Sequence, residues 1–338
     1  MLSGQREVNL LASPLLTTLR GLQILRCPAL SPANSPHRAG PPLTQLRETQ
    51  QNATSQLIHL IYLGYLLFIQ IPTSLGQQQL IAVLIGICYT NVQVNQAGIQ
   101  DIEGVLFIFI TENTFPSLYG VLNIFPQEMP LFLREYKNGI YRSDTYYLSK
   151  MISLIPGFIV DPLIFCLICY WMVGLQRHFY HFAMTVLITI FTANTASACG
   201  SMFSAMFESI PYIMLFLIPF DVVLLISGGL FINLTTMPWF IGWVKYLSWF
   251  MYSNEALTIT QWLDVTNIIQ LSLTPALFPP AACEMPPGVP CIHTGKQVIQ
   301  EYTFDPSHLS LDFGLMAVLY CCFHLVGFFG LYLRAKRK

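Results

Sequence analysis

Four groups of residues carry the chemistry legible in this chain. Glu112 and Asp221 are ionisable groups set inside long apolar runs. A carboxylate there is costly in lipid, so each reads as functional or as needing a partner. For Asp221 the expected partner is the polar stripe Thr189, Thr192, Asn194, Thr195 and Ser197. His178 and His181 form an H-x-x-H pair on one helical face, but no third ligand lies nearby. A zinc site takes three or four ligands, so the pair reads as two interface histidines and no metal is expected. The string GVPCIHTGKQ (Gly288 to Gln297) is the nearest approach to a phosphate loop, G-x-x-x-x-G-K-[ST]. Its spacing is wrong and Gln297 follows Lys296, so no ATP site is expected in this chain. The last group is FLREYKNGIYRSDTYYLSK, Phe132 to Lys150, dense in charge and tyrosine between two greasy stretches. No nucleophile–base pair is visible, so enzymatic chemistry is not expected.

These residues are positioned by elements built for lipid. The 338 residues are 54% hydrophobic and 10% charged, with mean hydropathy +0.55. Soluble domains carry about 25% charged residues, so the composition predicts a multi-pass membrane protein with the bilayer as its first partner. A net charge of -1 gives no field for nucleic acid. Residues 1–56 are rich in Pro, Ser, Thr and Gln and read as a disordered or unrelated leader. Residues 57–78 hold the apolar run Leu57 to Ile71, which stops at Pro72 and falls short of the ~20 residues a span needs. Leu80 to Tyr89 reads as the end of a first span. Gly104–Ile124, Ile152–Leu175, Phe182–Phe207, Tyr212–Ile232 and Phe313–Leu333 supply five more, the second of them kinked by Pro156 and Pro162. Pro238 to Leu263 is aromatic and amphipathic, which suits helices lying at or dipping into the interface.

Charge orients the spans. Arg134, Lys137, Arg142 and Lys150 cluster in one connection, and Arg334, Lys336, Arg337 and Lys338 end the chain. By the positive-inside bias both regions are cytoplasmic. The long 238–310 region is then extracytoplasmic. There Cys283 and Cys291 bracket EMPPGVP, and an oxidising compartment makes a disulfide chemically reasonable, with two free thiols as the alternative. Asn233 opens a formal glycosylation sequon close to the membrane, and Asn52 opens another on the cytoplasmic side. The cytoplasmic stretch carries Glu128, Phe132, Arg134, Glu135, Tyr141 and Arg142 on a helix able to lie flat on the membrane surface and transmit motion into the spans.

That segment resembles the connecting helix between the second and third spans of subfamily G ABC transporters. Further stretches agree in order: LIAVLIGICY, GVLFIFITENTF, SGGLFINLTTMP, YLSWFMYSNEALTITQW and LSLDFGLMAVLYCCFHLVGFFGLYLRAKRK. The resemblance covers Gln79 to Lys338, and the NEALxxxQW element and the tail look most like the insect White, Scarlet and Brown pigment-precursor group. The resemblance implies an all-α membrane protein, a six-helix exporter domain over residues 79–338 with an extracytoplasmic cap of short helices. It implies a homo- or heterodimer of half-transporters that moves a small planar or lipophilic molecule, such as a tryptophan or guanine derivative, by alternating access. ATP and Mg would act only through a nucleotide-binding domain absent from this sequence. By the same resemblance Phe115 lines the central cavity, with Asn113 and Glu112 beside it, and Leu230 and Phe231 form an apolar plug toward the exit. The plasma membrane or a pigment-granule membrane is the implied location. Other readings of the residues are a non-transporting regulatory fragment, a sterol or lipid exporter subunit, and a stand-alone channel or receptor.

Overall fold

The computed structural model describes residues 72–90, 92–96, 98–139, 142–232, 237–239, 241–266, 268 and 292–337. The readings made of residues 1–71, Tyr141, the Asn233 sequon, Cys283 and Cys291 lie outside them. Among the described residues the regular elements are helical. They are α1 (Pro72–Cys88), α2 (Gly98–Gly120), α3 (Ile124–Lys137), α4 (Ser143–Leu154), α5 (Gly157–Val173), α6 (Phe179–Met206), α7 (Ile210–Ile226), α8 (Trp249–Trp262), α9 (Gly295–Glu301) and α10 (Leu309–Arg337). Short 3-10 turns, Val244–Leu247 and Pro306–His308, precede α8 and α10.

Among the described residues, four helical stretches are long and apolar enough to cross a bilayer: Gly98–Lys137, Ser143–Val173, Phe179–Met206 and Pro306–Arg337. Two apolar helices are shorter, Gly76–Cys88 and Ile210–Ile226. At 1.5 Å per residue the 17 residues of α7 rise ~25 Å, just short of the ~30 Å hydrocarbon core. The turn at Val121–Asn123 separates α2 from α3, and a break at Ile155–Pro156 separates α4 from α5. The second break falls at Pro156, but Pro116, Pro130, Pro162 and Pro219 lie inside helices, so Pro162, expected as a kink, does not end α5.

α6 is the hub, with α2, α5, α8 and α10 packed on it and α1 packed on α5. Its buried face is made of small residues, from Thr189, Thr192 and Ala193 through Ala196, Ala198, Cys199 and Gly200 to Ser204. Small side chains let helix backbones approach, which is how apolar helices associate in lipid. At Gly200 the approach is close: a Cβ there would overlap the Leu118 carbonyl oxygen of α2. The α6 hydroxyls mostly bond back to their own helix. Thr185, Thr189, Thr192 and Thr195 each donate to the carbonyl four residues earlier at 2.8 to 3.0 Å. They are therefore not the partners of Asp221. That carboxylate accepts instead from the Tyr119 hydroxyl of α2 at 3.5 Å.

α8 is buried in the bundle: all of its residues but Met251 are covered, and it packs among α2, α6, α9 and α10. Several of its polar side chains find partners on neighbouring segments. Ser253 meets Thr192 at 2.6 Å, Asn254 donates to the Gly228 carbonyl at 3.2 Å, and Gln261 donates to Thr185 at 3.1 Å. The chain reaches this position through a sharp end to α7, where Gly229 takes a left-handed φ of 85°.

A second, smaller core holds the basic end together. Phe125, Met129 and Phe132 of α3 pack with Tyr146, Tyr147 and Met151 of α4, Ala205 of α6, and Leu331 and Ala335 of α10. Phe132 stacks on Tyr146 at 4.5 Å and Phe125 on Tyr147 at 5.7 Å. Arg334 donates to the carbonyls of Ala205 and Phe207 at 2.8 and 3.0 Å. It thereby fills acceptors that the end of α6 leaves open.

Candidate functional site

α2 presents two different faces. One is buried, carrying Val105, Leu106, Phe109, Ile110, Asn113 and Leu118. The other, through Ile108, Thr111, Glu112, Phe115 and Tyr119, is only partly covered. These positions recur every three or four residues, the spacing of one helical stripe. The open stripe borders a cavity of about 770 Å³ between α1, α2, α3, α4 and α5.

The cavity gathers residues from separate parts of the sequence. Glu112 and Phe115 line it from α2, Phe158 and Asp161 from α5, and Gln77 and Gln78 from α1. Toward the basic end it reaches Glu128 of α3 and Lys150 of α4, which form an ion pair. The Tyr146 hydroxyl donates to the second Glu128 oxygen at 2.9 Å. Glu112 and Phe115, on a transmembrane helix, thus share one cavity with Glu128, on the connecting helix.

The remaining site candidates sit elsewhere. Asn113 turns into the protein, where its Nδ2 donates to the Phe109 carbonyl at 2.6 Å. Leu230 and Phe231 lie at the far end of α7. There Phe231 meets Phe107 of α2 edge-on at 5.1 Å, and Leu230 is half-buried. Phe107 and Phe115 are eight residues apart, so the two aromatic positions are ~12 Å apart along α2. On α3, Phe132 anchors the helix in the small core while Arg134 faces outward and Glu135 is half-buried. Arg142 pairs with Asp144 at 2.8 Å at the exposed start of α4. His181 meets Asp264 at 3.2 Å, with the His178 ring 6.0 Å away.

Three buried acids were not singled out by sequence: Glu103, Glu255 and Asp312 of α10. Glu103, fully buried on α2, accepts from the Thr258 hydroxyl at 3.0 Å and the Trp262 indole at 2.7 Å. Glu255 accepts from the Asp305 amide and from His308 Nδ1, both at 3.1 Å. The available signal was an acid next to each run: Glu103 directly precedes the Gly104 span, and Glu255 stands inside NEALTITQW. A smaller cavity of about 380 Å³ opens beside this network, between Val92, Ile102, Val173, Gln176 and Trp262.

Residues 55–262 match the family described as ABC-2 type transporter. Among curated proteins, the chain is similar to Protein scarlet of Drosophila melanogaster, 40% identical over 262 residues, which is 77% of this chain and 38% of that protein. It is similar to Protein white of the same species at 33% over 268 residues, 79% of this chain and 37% of that protein. Protein brown matches at 30% over 285 residues, 80% of this chain and 40% of that protein. The chain spans two fifths or less of the length of each of these relatives, and the part it matches is the membrane domain. The chain, helical in its described elements, belongs to the ABC-2 type transporter membrane family and is a subfamily G membrane domain related to White, Scarlet and Brown.

Proposed function

We propose that this chain forms the translocation half of an ATP-driven transporter, and that two such membrane domains pair so that a small planar or lipophilic molecule crosses between them by alternating access. The supporting observation is the shared cavity. Glu112 and Phe115 on its wall would contact the cargo, while Glu128 and Lys150 tie its basic end to α3. A push on α3 from a cytoplasmic ATPase would reach the cavity through that ion pair and through the Phe132–Tyr146 stack. In this reading α3 and the C-terminus face the cytoplasm, by the positive charge they carry. ATP and Mg enter only through a nucleotide-binding domain, and pigment precursors such as tryptophan or guanine derivatives are the proposed cargo. Phe231, edge-on to Phe107 in the middle of α2, serves with Leu230 as the apolar plug between cavity and exit.

The test is co-expression of this chain with a full-length half-transporter, followed by ATP-dependent uptake of a labelled planar precursor into membrane vesicles. Uptake above that of the partner alone, lost on Phe115→Ala, is the expected result. Uptake suppressed below that of the partner alone would overturn the transport role in favour of a regulatory one.

A further inference from the structure

The large cavity carries more acid than base, and the acids are placed beside aromatic rings. Three carboxylates and one lysine line it: Glu112, Glu128, Asp161 and Lys150. Lys150 is already committed to Glu128. Glu112 and Asp161 take part in no ion pair among the described residues. On α2, Glu112 stands three residues before Phe115; on α5, Asp161 stands three residues after Phe158. Residues three apart lie on one helical face. Each of two cavity walls therefore presents a carboxylate and a phenyl ring together, and both pairs border the same space. A carboxylate favours a cation, and a ring face attracts a cation as well as a flat π-system. An anionic ligand would meet two uncompensated like charges. The amides of Gln77 and Gln78 add hydrogen-bonding groups without adding charge.

We propose that the cavity selects flat aromatic molecules carrying a positively charged amine, with Glu112 and Asp161 as the counter-charges and Phe115 and Phe158 as the stacking surfaces. The selectivity rests on the transport reading of this cavity and narrows its cargo from planar molecules in general to cationic ones.

The test uses the purified chain in lipid nanodiscs and three labelled indoles that share one ring: tryptamine, N-acetyltryptamine and indole-3-acetate. Equilibrium binding should rank them in that order. Tryptamine should bind about tenfold tighter than its acetylated form, the factor that 1.4 kcal/mol confers. In a Glu112→Gln, Asp161→Asn double variant, tryptamine should fall to the level of N-acetyltryptamine. Residual binding of N-acetyltryptamine shows that the variant still forms the cavity. Equal affinity of the parent for tryptamine and N-acetyltryptamine overturns the charge selectivity while leaving the cavity as a binding site. Persistence of the preference in the double variant overturns the assignment to these two acids. Failure of all three indoles to bind overturns the reading of the cavity as a cargo site, and the selectivity with it.

Discussion

Replacing Glu103 tests whether the buried α8 network holds the bundle together. Its carboxylate is the acceptor for two donors on one face of α8, Thr258 and Trp262, four residues apart. Glu103→Ala leaves both donors buried and unpartnered. A stranded buried donor costs about 1–3 kcal/mol, whereas interhelical hydrogen bonds in membranes average about 0.6 kcal/mol where the loosened chain finds other partners. Trp262 and Thr258 are both fully or nearly fully buried, so alternative partners are scarce and the larger figure governs. The total, with the space left by the lost side chain, is about 3 kcal/mol, equivalent to roughly 6–12 °C in midpoint for a domain of this size. Glu103→Gln keeps a carbonyl for the indole, and the Thr258 hydroxyl can turn to accept from the new amide. Its loss should be under about 1 kcal/mol. The assay is thermal unfolding in detergent, followed by a thiol-reactive fluorophore. Cys166, Cys169 and Cys199 are buried and report unfolding, while Cys88, Cys321 and Cys322 are exposed and set the baseline. An Ala variant melting within a degree of the parent, or a Gln variant as weak as the Ala variant, would refute the reasoning.

Three further outcomes follow from the packing. Gly200→Leu should lower the midpoint by several degrees in the same assay, because the clash is with the Leu118 backbone and neither helix can give way. Arg334→Ala removes two charge-assisted bonds to the end of α6 and should cost about 1–3 kcal/mol, with Arg334→Lys intermediate. Reversing the sign of either Glu128 or Lys150 should shift stability by under about 1 kcal/mol, since Glu128 is 38% exposed. Either reversal should still depress ATP-dependent uptake by the co-expressed pair, and the Glu128→Lys, Lys150→Glu swap should restore part of it. Equal uptake by all three variants would separate the ion pair from coupling.

Much of the architecture was legible because apolar runs are local signals; proline was a weaker guide, since Pro156 marks a break while Pro162 lies inside α5. The spans beginning near Gly104, Ile152, Phe182, Tyr212 and Phe313 match helices within a few residues at most ends. What pairs with what was not legible. The α6 stripe looked like a partner for Asp221, yet a helical Thr satisfies its hydroxyl on its own backbone, so polarity in sequence did not translate into reach across helices. The stretch holding α8 read as aromatic and amphipathic, which does not say which helices it meets. Only the bundle shows where Ser253, Asn254 and Thr258 find their bonds. Glu128 and Lys150 are 22 residues apart, with a bend between them, and no periodicity links them. Asn113 and Phe115 were grouped by adjacency, but two residues apart on a helix they point in different directions, one into the core and one into the cavity.

The most direct test concerns which side of the membrane α3 occupies. Asn138 is exposed at its end, next to Gly139 with its left-handed φ of 71°. An Asn138→Cys variant treated with a membrane-impermeant maleimide should gain label over the parent only after the cells are permeabilised. Label gained on intact cells would place α3 outside, beyond the reach of any cytoplasmic ATPase, and would contradict the transport account.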